Sequence, residues 1–257
     1  MTSEDVLQLP IDSNIVHKTL ENVVKKYLYT IKNLTYTRTP VELLDNLYMG
    51  DITKNSIFDY LKDRVDDILI DYDEIRTDNF EQADPGWDFK IGNRPVKIEV
   101  KSSLPPKVDI NNSATFEDLK NEIIQNRDVK ITASHDNGKT FIEPENLDSE
   151  IHIQIYFFNV SVYKNGYNNP RVLYEDIKDN IYKIKTIIKS DKYNSPYYFG
   201  FSTKKEIINY KYENEKNNTP TTWTFSWTNR WYWKSPLLKA HNIKRLIKLI
   251  HKYKDSK

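Results

Sequence analysis

Residues 13–33 (SNIVHKTLENVVKKYLYTIKN) carry apolar positions at helical spacing behind Ser13, which predicts an amphipathic helix with a Ser13 cap. The same period predicts a helix over about 41–48. A third is expected over 55–69 (NSIFDYLKDRVDDIL), with Ile57, Phe58, Leu61, Val65 and Ile68 inward. From 86 to 103 the period changes to two. Residues 115–126 return to helical spacing, with Thr115 as cap and Asp118 three residues on. The run IHIQIYFFNVSVY at 151–163 predicts a central strand, YYFGFS at 197–202 and TWTFSWT at 222–228 further strands, and 237–254 a basic terminal helix. The polar stretches 134–149 and 213–221 read as loops. Strands interleaved with helices predict an α/β (α+β) fold: a mixed central β-sheet flanked by helices. No repeat or linker divides the chain, so residues 1–257 are read as one domain. It has a helical N-terminal part (1–50), a core (51–210) and an aromatic, basic C-terminal part (211–257).

The period-two segment is GWDFKIGNRPVKIEVKSS, residues 86–103. A hairpin turning between Asn93 and Arg94 would pair Trp87 with Val100, Phe89 with Ile98 and Ile91 with Val96, an entirely apolar face. The other face would oppose Lys90 to Lys97 and Asp88 to Glu99. Like charges on directly opposed strand positions, with Cβ atoms about 4.5–5.5 Å apart, destabilise a sheet. The Asp88/Glu99 pair therefore asks for a cation between its carboxylates, and Lys101 projects from the same face two residues on. The alternative is an exposed hairpin whose charges keep the protein soluble.

Composition narrows the cation. The chain has no cysteine, which removes disulfides, thiolate metal sites and thiol nucleophiles. His17, His135, His152, His241 and His251 form no HExxH or zinc-finger spacing, and each is expected to be a surface or satisfied core residue. Hard oxygen ligands then suit Mg²⁺, which keeps several waters and takes one or two carboxylates plus a substrate phosphate. Neither GxGxxG nor GxxxxGK occurs, so no nucleotide cofactor is expected, and without GxSxG serine hydrolysis has no support. No stretch is long enough to span a membrane, and the start MTSEDVLQLPIDSN has no signal-peptide pattern; a cytoplasmic protein is expected.

The 38 basic and 37 acidic residues nearly cancel, but they are segregated. Residues 56–91 hold eleven acidic against four basic positions, a net of −7. Residues 230–257 hold nine basic and one acidic, a net of +8, next to the aromatic run WTFSWTNRWYW. An acidic centre beside a basic, aromatic tail fits a metal site next to a polyanion-binding surface; a helix with a solvated basic face is the other reading. Arg230 and Lys234 are the candidates for DNA contact there, whereas the alternating Trp223, Phe225 and Trp227 are expected to face the core.

Asp88, ten intervening residues, then Glu99-Val100-Lys101 resembles the signature of the PD-(D/E)XK nuclease superfamily. Asp84-Pro85 supplies a similar neighbourhood, although Trp87 stands where the family has proline before the aspartate. The resemblance covers roughly residues 55–160, through the order helix, hairpin, helix, apolar strand. It implies a restriction-endonuclease-like core and catalysis by Asp88, Glu99 and Lys101. It further implies Mg²⁺ held by Asp88, Glu99 and the Val100 carbonyl, with an acidic residue of the preceding helix as a further ligand: Asp59 fits by order and by the apolar Phe58 before it, and Asp63 and Asp67 are neighbours on similar faces. Ser102, Ser103 and Lys107 would reach DNA phosphate. Among its members the chain looks most like a type II restriction endonuclease cutting double-stranded DNA as a homodimer. The alternatives are a DNA-binding protein with a decayed nuclease fold, and a repair or RNA nuclease of the same superfamily.

Overall fold

The computed structural model describes residues 1–33, 38–66, 68–82, 85–105, 115–135, 139–158, 169–226 and 229–255. After strand β1 (Leu7–Gln8), helix α1 (Ser13–Lys32) begins one residue later than its cap. Asp12, rather than Ser13, is the N-cap, and its carboxylate accepts the Ile15 N–H at 2.8 Å. The two helices expected over 41–48 and 55–69 are one, α2 (Pro40–Lys62), started by Pro40 and a Thr39/Glu42 capping box. Gly50 lies in its middle in open space, where it costs about 1 kcal/mol relative to alanine and need not interrupt a long helix. The helix stops at Lys62, so Leu69 belongs instead to strand β2 (Leu69–Asp71), followed by the single turn α3 (Tyr72–Ile75).

The hairpin strands are β3 (Phe89–Ile91) and β4 (Lys97–Ser103), and α4 (Phe116–Asn126) carries the expected Thr115/Asp118 capping box. The stretch 134–149 is more ordered than a loop. After β5 (Ile131–Thr132) come the paired β6 (Ser134–His135) and β7 (Thr140–Phe141), then a turn of 3-10 helix, Pro144–Asn146. Strand β8 is Ile151–Phe157; the remainder expected to 163 lies, after Phe158, outside the described residues. Helices α5 (Pro170–Lys178) and α6 (Lys183–Ile188) precede β9 (Pro196–Thr203), and α7 (Lys204–Glu215) follows it. Strands β10 (Thr222–Thr224) and β11 (Trp231–Trp233) lead to α8 (Ile243–Asp255), which starts later than expected because Pro236 opens a 3-10 turn over Leu237–Lys239.

The six-stranded sheet has the order β1-β9-β8-β4-β3-β2 and is mixed: β4 and β8 are parallel, all other neighbours antiparallel. A parallel pair needs a long crossover, which α4 and the strands β5 to β7 supply. β8 is central and buried at every position, as its β-branched run predicts. Strand 222–224 does not join this sheet. It forms a separate three-stranded sheet, β10-β11-β5.

One face of the large sheet buries Phe89, Ile91, Ile98, Ile151 and Ile153 against Ile57, Phe58 and Leu61 of α2 and Ile243, Leu246 and Ile250 of α8. Each fully buried side chain of this kind contributes about 1.5–3 kcal/mol. The small sheet packs elsewhere, where its Ile131 and Trp233 share a core with Tyr156 of β8 and Phe199 of β9. Gly200 in β9 is required by its backbone: φ is +127°, and a Cβ would meet that of Ala240 at 2.9 Å. The register of β8 on β9 shifts between Gln154 and Ile155, directly opposite this glycine. No described helix is long and apolar enough to cross a membrane.

Candidate functional site

The hairpin pairs Phe89 with Ile98 and Lys90 with Lys97, and the Ile91 N–H meets the Val96 carbonyl at 3.0 Å. The expected register then slips at Asp88. Its N–H bonds the carbonyl of Ile98, already the partner of Phe89, at 2.8 Å, so two residues face one as in a β-bulge. Trp87 consequently does not pair with Val100; it packs on Tyr72, with the Lys97 ammonium 5.4 Å from its ring centre. The cause is tertiary. Tyr72 donates its N–H to the Asp88 carbonyl at 2.9 Å, and Asp88 Oδ2 accepts the Val100 N–H at 2.7 Å.

The slip leaves Asp88 beside Glu99 and Lys101. Burial pushes the Asp88 carboxyl up to about 7, against the Val100 hydrogen bond and the charges of Lys101 and Lys54; the negative Glu99 adds to the rise. Among the described residues nothing donates to its other oxygen. Glu99 is only 8% exposed, which by itself would raise its pKa, but Lys101 and His152 hold it down at about 2. Its Oε1 lies 2.6 Å from Lys101 Nζ and its Oε2 3.0 Å from His152 Nδ1. Burial disfavours the Lys101 ammonium, yet Glu99 more than compensates and its pKa is raised.

His152 departs from the expectation of a surface or satisfied core residue. It is 1% exposed and sits opposite Glu99 in the parallel β4–β8 pair. A carboxylate only accepts, so Nδ1 must donate to Glu99, and Nε2 is left buried with no partner among the described residues. Two residues along the same face lies Gln154, fully buried. Its Nε2 donates to the Lys101 carbonyl (3.2 Å) and Ser103 Oγ (3.1 Å), and its Oε1 accepts the Lys130 N–H (3.0 Å). Sequence reading missed both. The signal was present in IHIQI, whose polar residues alternate with isoleucine and so share a face.

The other candidate residues are spread differently. Ser103 shares the face of Glu99 and Lys101 and accepts from Gln154, while Ser102 points to the opposite face by strand alternation. Arg230 is brought in: its positive charge acts on both Lys101 and Lys130. Burial, reinforced by Lys101, Arg230 and Arg38, pulls Lys130 down to about 8. Lys234 is not brought to the pair; its charge acts on Asp128. Asp59 is not brought there either. It is exposed on α2, its pKa is raised by partial burial and by Asp63 and Asp12, and the α2 residue whose charge reaches Asp88 is Lys54. Asp67, Lys107 and Trp227 lie outside the described residues. Trp223 and Phe225 are half-buried in the small sheet, packed on Tyr232.

Beside this centre lies a second charged cluster. Lys54 bonds Asp71 at 2.9 Å and also Asp73; Lys26 bonds Asp51 (2.6 Å) and Asp73 (3.0 Å); Lys18 bonds Asp71 and Glu74, both at 2.9 Å. Arg76 completes it through Asp73 and Asp78. Lysines of α1 and α2 thus pair with Asp71, Asp73 and Glu74 of the acidic stretch 56–91.

Among the described residues no group of three or more acidic or histidine side chains is placed to cage a metal ion. The oxygen donors of Asp88 and Glu99 nevertheless fit a hard cation that completes its shell with water and substrate oxygens. No family model, no curated protein and no solved structure matches the chain.

Proposed function

We propose that the protein is a Mg²⁺-dependent endonuclease of the PD-(D/E)XK type that hydrolyses phosphodiester bonds of double-stranded DNA, most like a type II restriction enzyme acting as a homodimer. The observation that carries this reading is the convergence of Asp88, Glu99 and Lys101, two carboxylates and an ammonium, in one partly buried centre at the open end of the hairpin. The order α2, hairpin, α4, parallel β8 supports it further.

Asp88, Glu99 and the Val100 carbonyl would hold the ion. When bound, it polarises the phosphodiester and acidifies an attacking water. Lys101 carries positive charge at the same place, where it can stabilise charge developing on the phosphoryl oxygens. His152 keeps a proton on Nδ1 toward Glu99 and so holds the carboxylate ionised and oriented. The Val100 N–H does the same for one oxygen of Asp88.

The rival reading, a DNA-binding protein with a decayed centre, draws on Glu99 being engaged at both oxygens. Incubating the protein with plasmid, phage DNA and labelled RNA, with Mg²⁺ or EDTA, tests both. Discrete DNA fragments that need Mg²⁺ and vanish in Asp88→Asn and Lys101→Ala support the proposal. Unchanged cutting by Asp88→Asn sinks the site assignment. DNA binding without cutting favours the rival, and cutting of RNA alone moves the substrate.

A further inference from the structure

Lys130 has no role in the catalytic reading, yet its placement is specified at both ends. At the backbone, Gln154 accepts its N–H and donates to the Lys101 carbonyl, so a single buried amide fixes Lys130 relative to the strand that carries Lys101. At the tip, the ammonium sits 5.4 Å from the ring centres of both Phe225 and Tyr232. Those rings are held in turn: Tyr232 stacks on Trp223 at 4.7 Å and pairs with Thr132 of β5. A lysine at a surface normally keeps its head in bulk water and moves freely. This one is held against aromatic faces, an arrangement that favours a cation in a fixed position.

Its surroundings are positive. Lys101, Arg230 and Arg38 all act on Lys130, and Glu99 is the carboxylate among the groups that oppose them. Glu99 is already bound to Lys101 and His152, and among the described residues no carboxylate forms an ion pair with Lys130. Cations brought together where water is partly excluded repel one another, and an anion placed among them removes that repulsion. We propose that Lys130, together with Arg230, forms an anion subsite beside the Asp88–Glu99–Lys101 centre that takes a backbone phosphate adjoining the phosphodiester to be cut. The identity of the anion rests on the nuclease reading. A strand threaded past the centre presents a neighbouring phosphate, and the compact ammonium of Lys130 beside the planar guanidinium of Arg230 suits its oxygens.

The test is binding of a fluorescein-labelled DNA duplex of mixed sequence, with Ca²⁺ in place of Mg²⁺, over a range of salt concentrations. Lys130→Met keeps the chain length and the apolar contact with the rings but removes the charge. Loss of one phosphate contact reduces the slope of log K against log salt by about 0.9. The expected result is therefore a shallower slope, with affinity near 0.1 M salt lowered about tenfold and largely restored in Lys130→Arg. A wild-type slope and affinity in Lys130→Met overturns the subsite. So does a lower affinity with an unchanged slope, which reports altered packing. Should Lys130→Met fail to fold, Arg230→Gln gives the same readout. If wild type binds with the Lys130-dependent slope but never cuts, the cleavage reading fails and the subsite stands. If it cuts while Lys130→Met binds like wild type, the subsite fails alone. No binding to the duplex under any condition overturns both.

Discussion

The hairpin centre and the cluster between α1, α2 and β2 are both partly buried collections of aspartate, glutamate and lysine, but Asp88 in one and Asp73 in the other are electrostatic opposites. In the cluster, Lys26 and Lys54 overcome the burial of Asp73 and hold its carboxyl down at about 2. In the centre, Lys101 is committed to Glu99, and Asp88, half-buried with no ion-pair partner among the described residues, is pushed up by desolvation to about 7. A carboxylate tied to several cations, as Asp73 is to Lys26, Lys54 and Arg76, stabilises an architecture. In the nuclease reading, Asp88, short of positive charge beside a second carboxylate, is where a metal ion would bind.

Breaking the closed cluster should have the largest effect. Lys54→Met leaves Asp71 and Asp73 buried with one partner fewer, and truncating one member of a buried ion pair costs about 3–5 kcal/mol. Urea denaturation should show this loss. A change below about 1 kcal/mol would mean that the cluster is solvated and the contrast false.

Asp88 and Asp73 should also answer pH with opposite sign. Folded Asp88 holds its proton more tightly than the unfolded chain, where the value is 3.8. The stability contributed by this group therefore falls as pH rises from about 4 to about 7. For Asp73 the folded value of about 2 lies below 3.8, so its stabilisation is present above pH 4 and is lost as pH falls toward 2. Asp88→Asn removes the first dependence. It should abolish cleavage and yet gain stability over wild type as pH rises toward 8, by at most about 4 kcal/mol. Parallel stability curves for the two proteins between pH 5 and 8 would show that Asp88 carries no such burden. Mg²⁺ should raise the melting temperature of wild type, through binding to the folded state, and leave that of Asp88→Asn unchanged.

These differences explain what was legible in the sequence. The hairpin was, because strict alternation from Phe89 to Val100 fixes which residues share a face, and the face pairing held from Phe89 onward. The slip at Asp88 was not, since it depends on N–H groups of Tyr72 and Val100 that meet the aspartate only in the folded chain. The continuity of α2 was hidden by Gly50 and by the polar run Thr53-Lys54-Asn55-Ser56, which is buried against tertiary partners rather than solvated. Helix α7 had a readable signal, the Thr203/Glu206 capping box, obscured by its weak amphipathic pattern. Lys54 and Asp71, seventeen residues apart on a helix and a strand, carry no local mark of their pairing.

His152 offers a finer probe, because it acts on the centre through Glu99. His152→Gln can still donate to the carboxylate, whereas His152→Ala cannot. Removing a partner that orients a metal-ligating group typically costs 10–100-fold in activity or metal affinity. The expected result is that loss for His152→Ala, larger at low Mg²⁺, with substantial recovery in His152→Gln. Equal losses in both variants at every Mg²⁺ concentration would reduce His152 to packing.

The smallest effect is expected at Asp59, and it sharpens the contrast from outside both regions. The family resemblance would make it a metal ligand, and its removal would then approach the effect of Asp88→Asn. The structure gives it different surroundings: it is exposed, and the charges acting on it are those of Asp63, Asp12, Lys62 and Lys18. Lys54 and Asp59 are five residues apart on α2, a rotation of about 140° on an α-helix, so a helix that turns Lys54 toward Asp88 turns Asp59 away. Exposed substitutions of this kind change free energies by no more than about 0.5 kcal/mol. Asp59→Asn should therefore leave the cleavage rate within about twofold of wild type and its Mg²⁺ dependence unchanged. A loss of a hundredfold or more, relieved by raising Mg²⁺, would return Asp59 to the metal shell and require α2 to rotate when DNA binds.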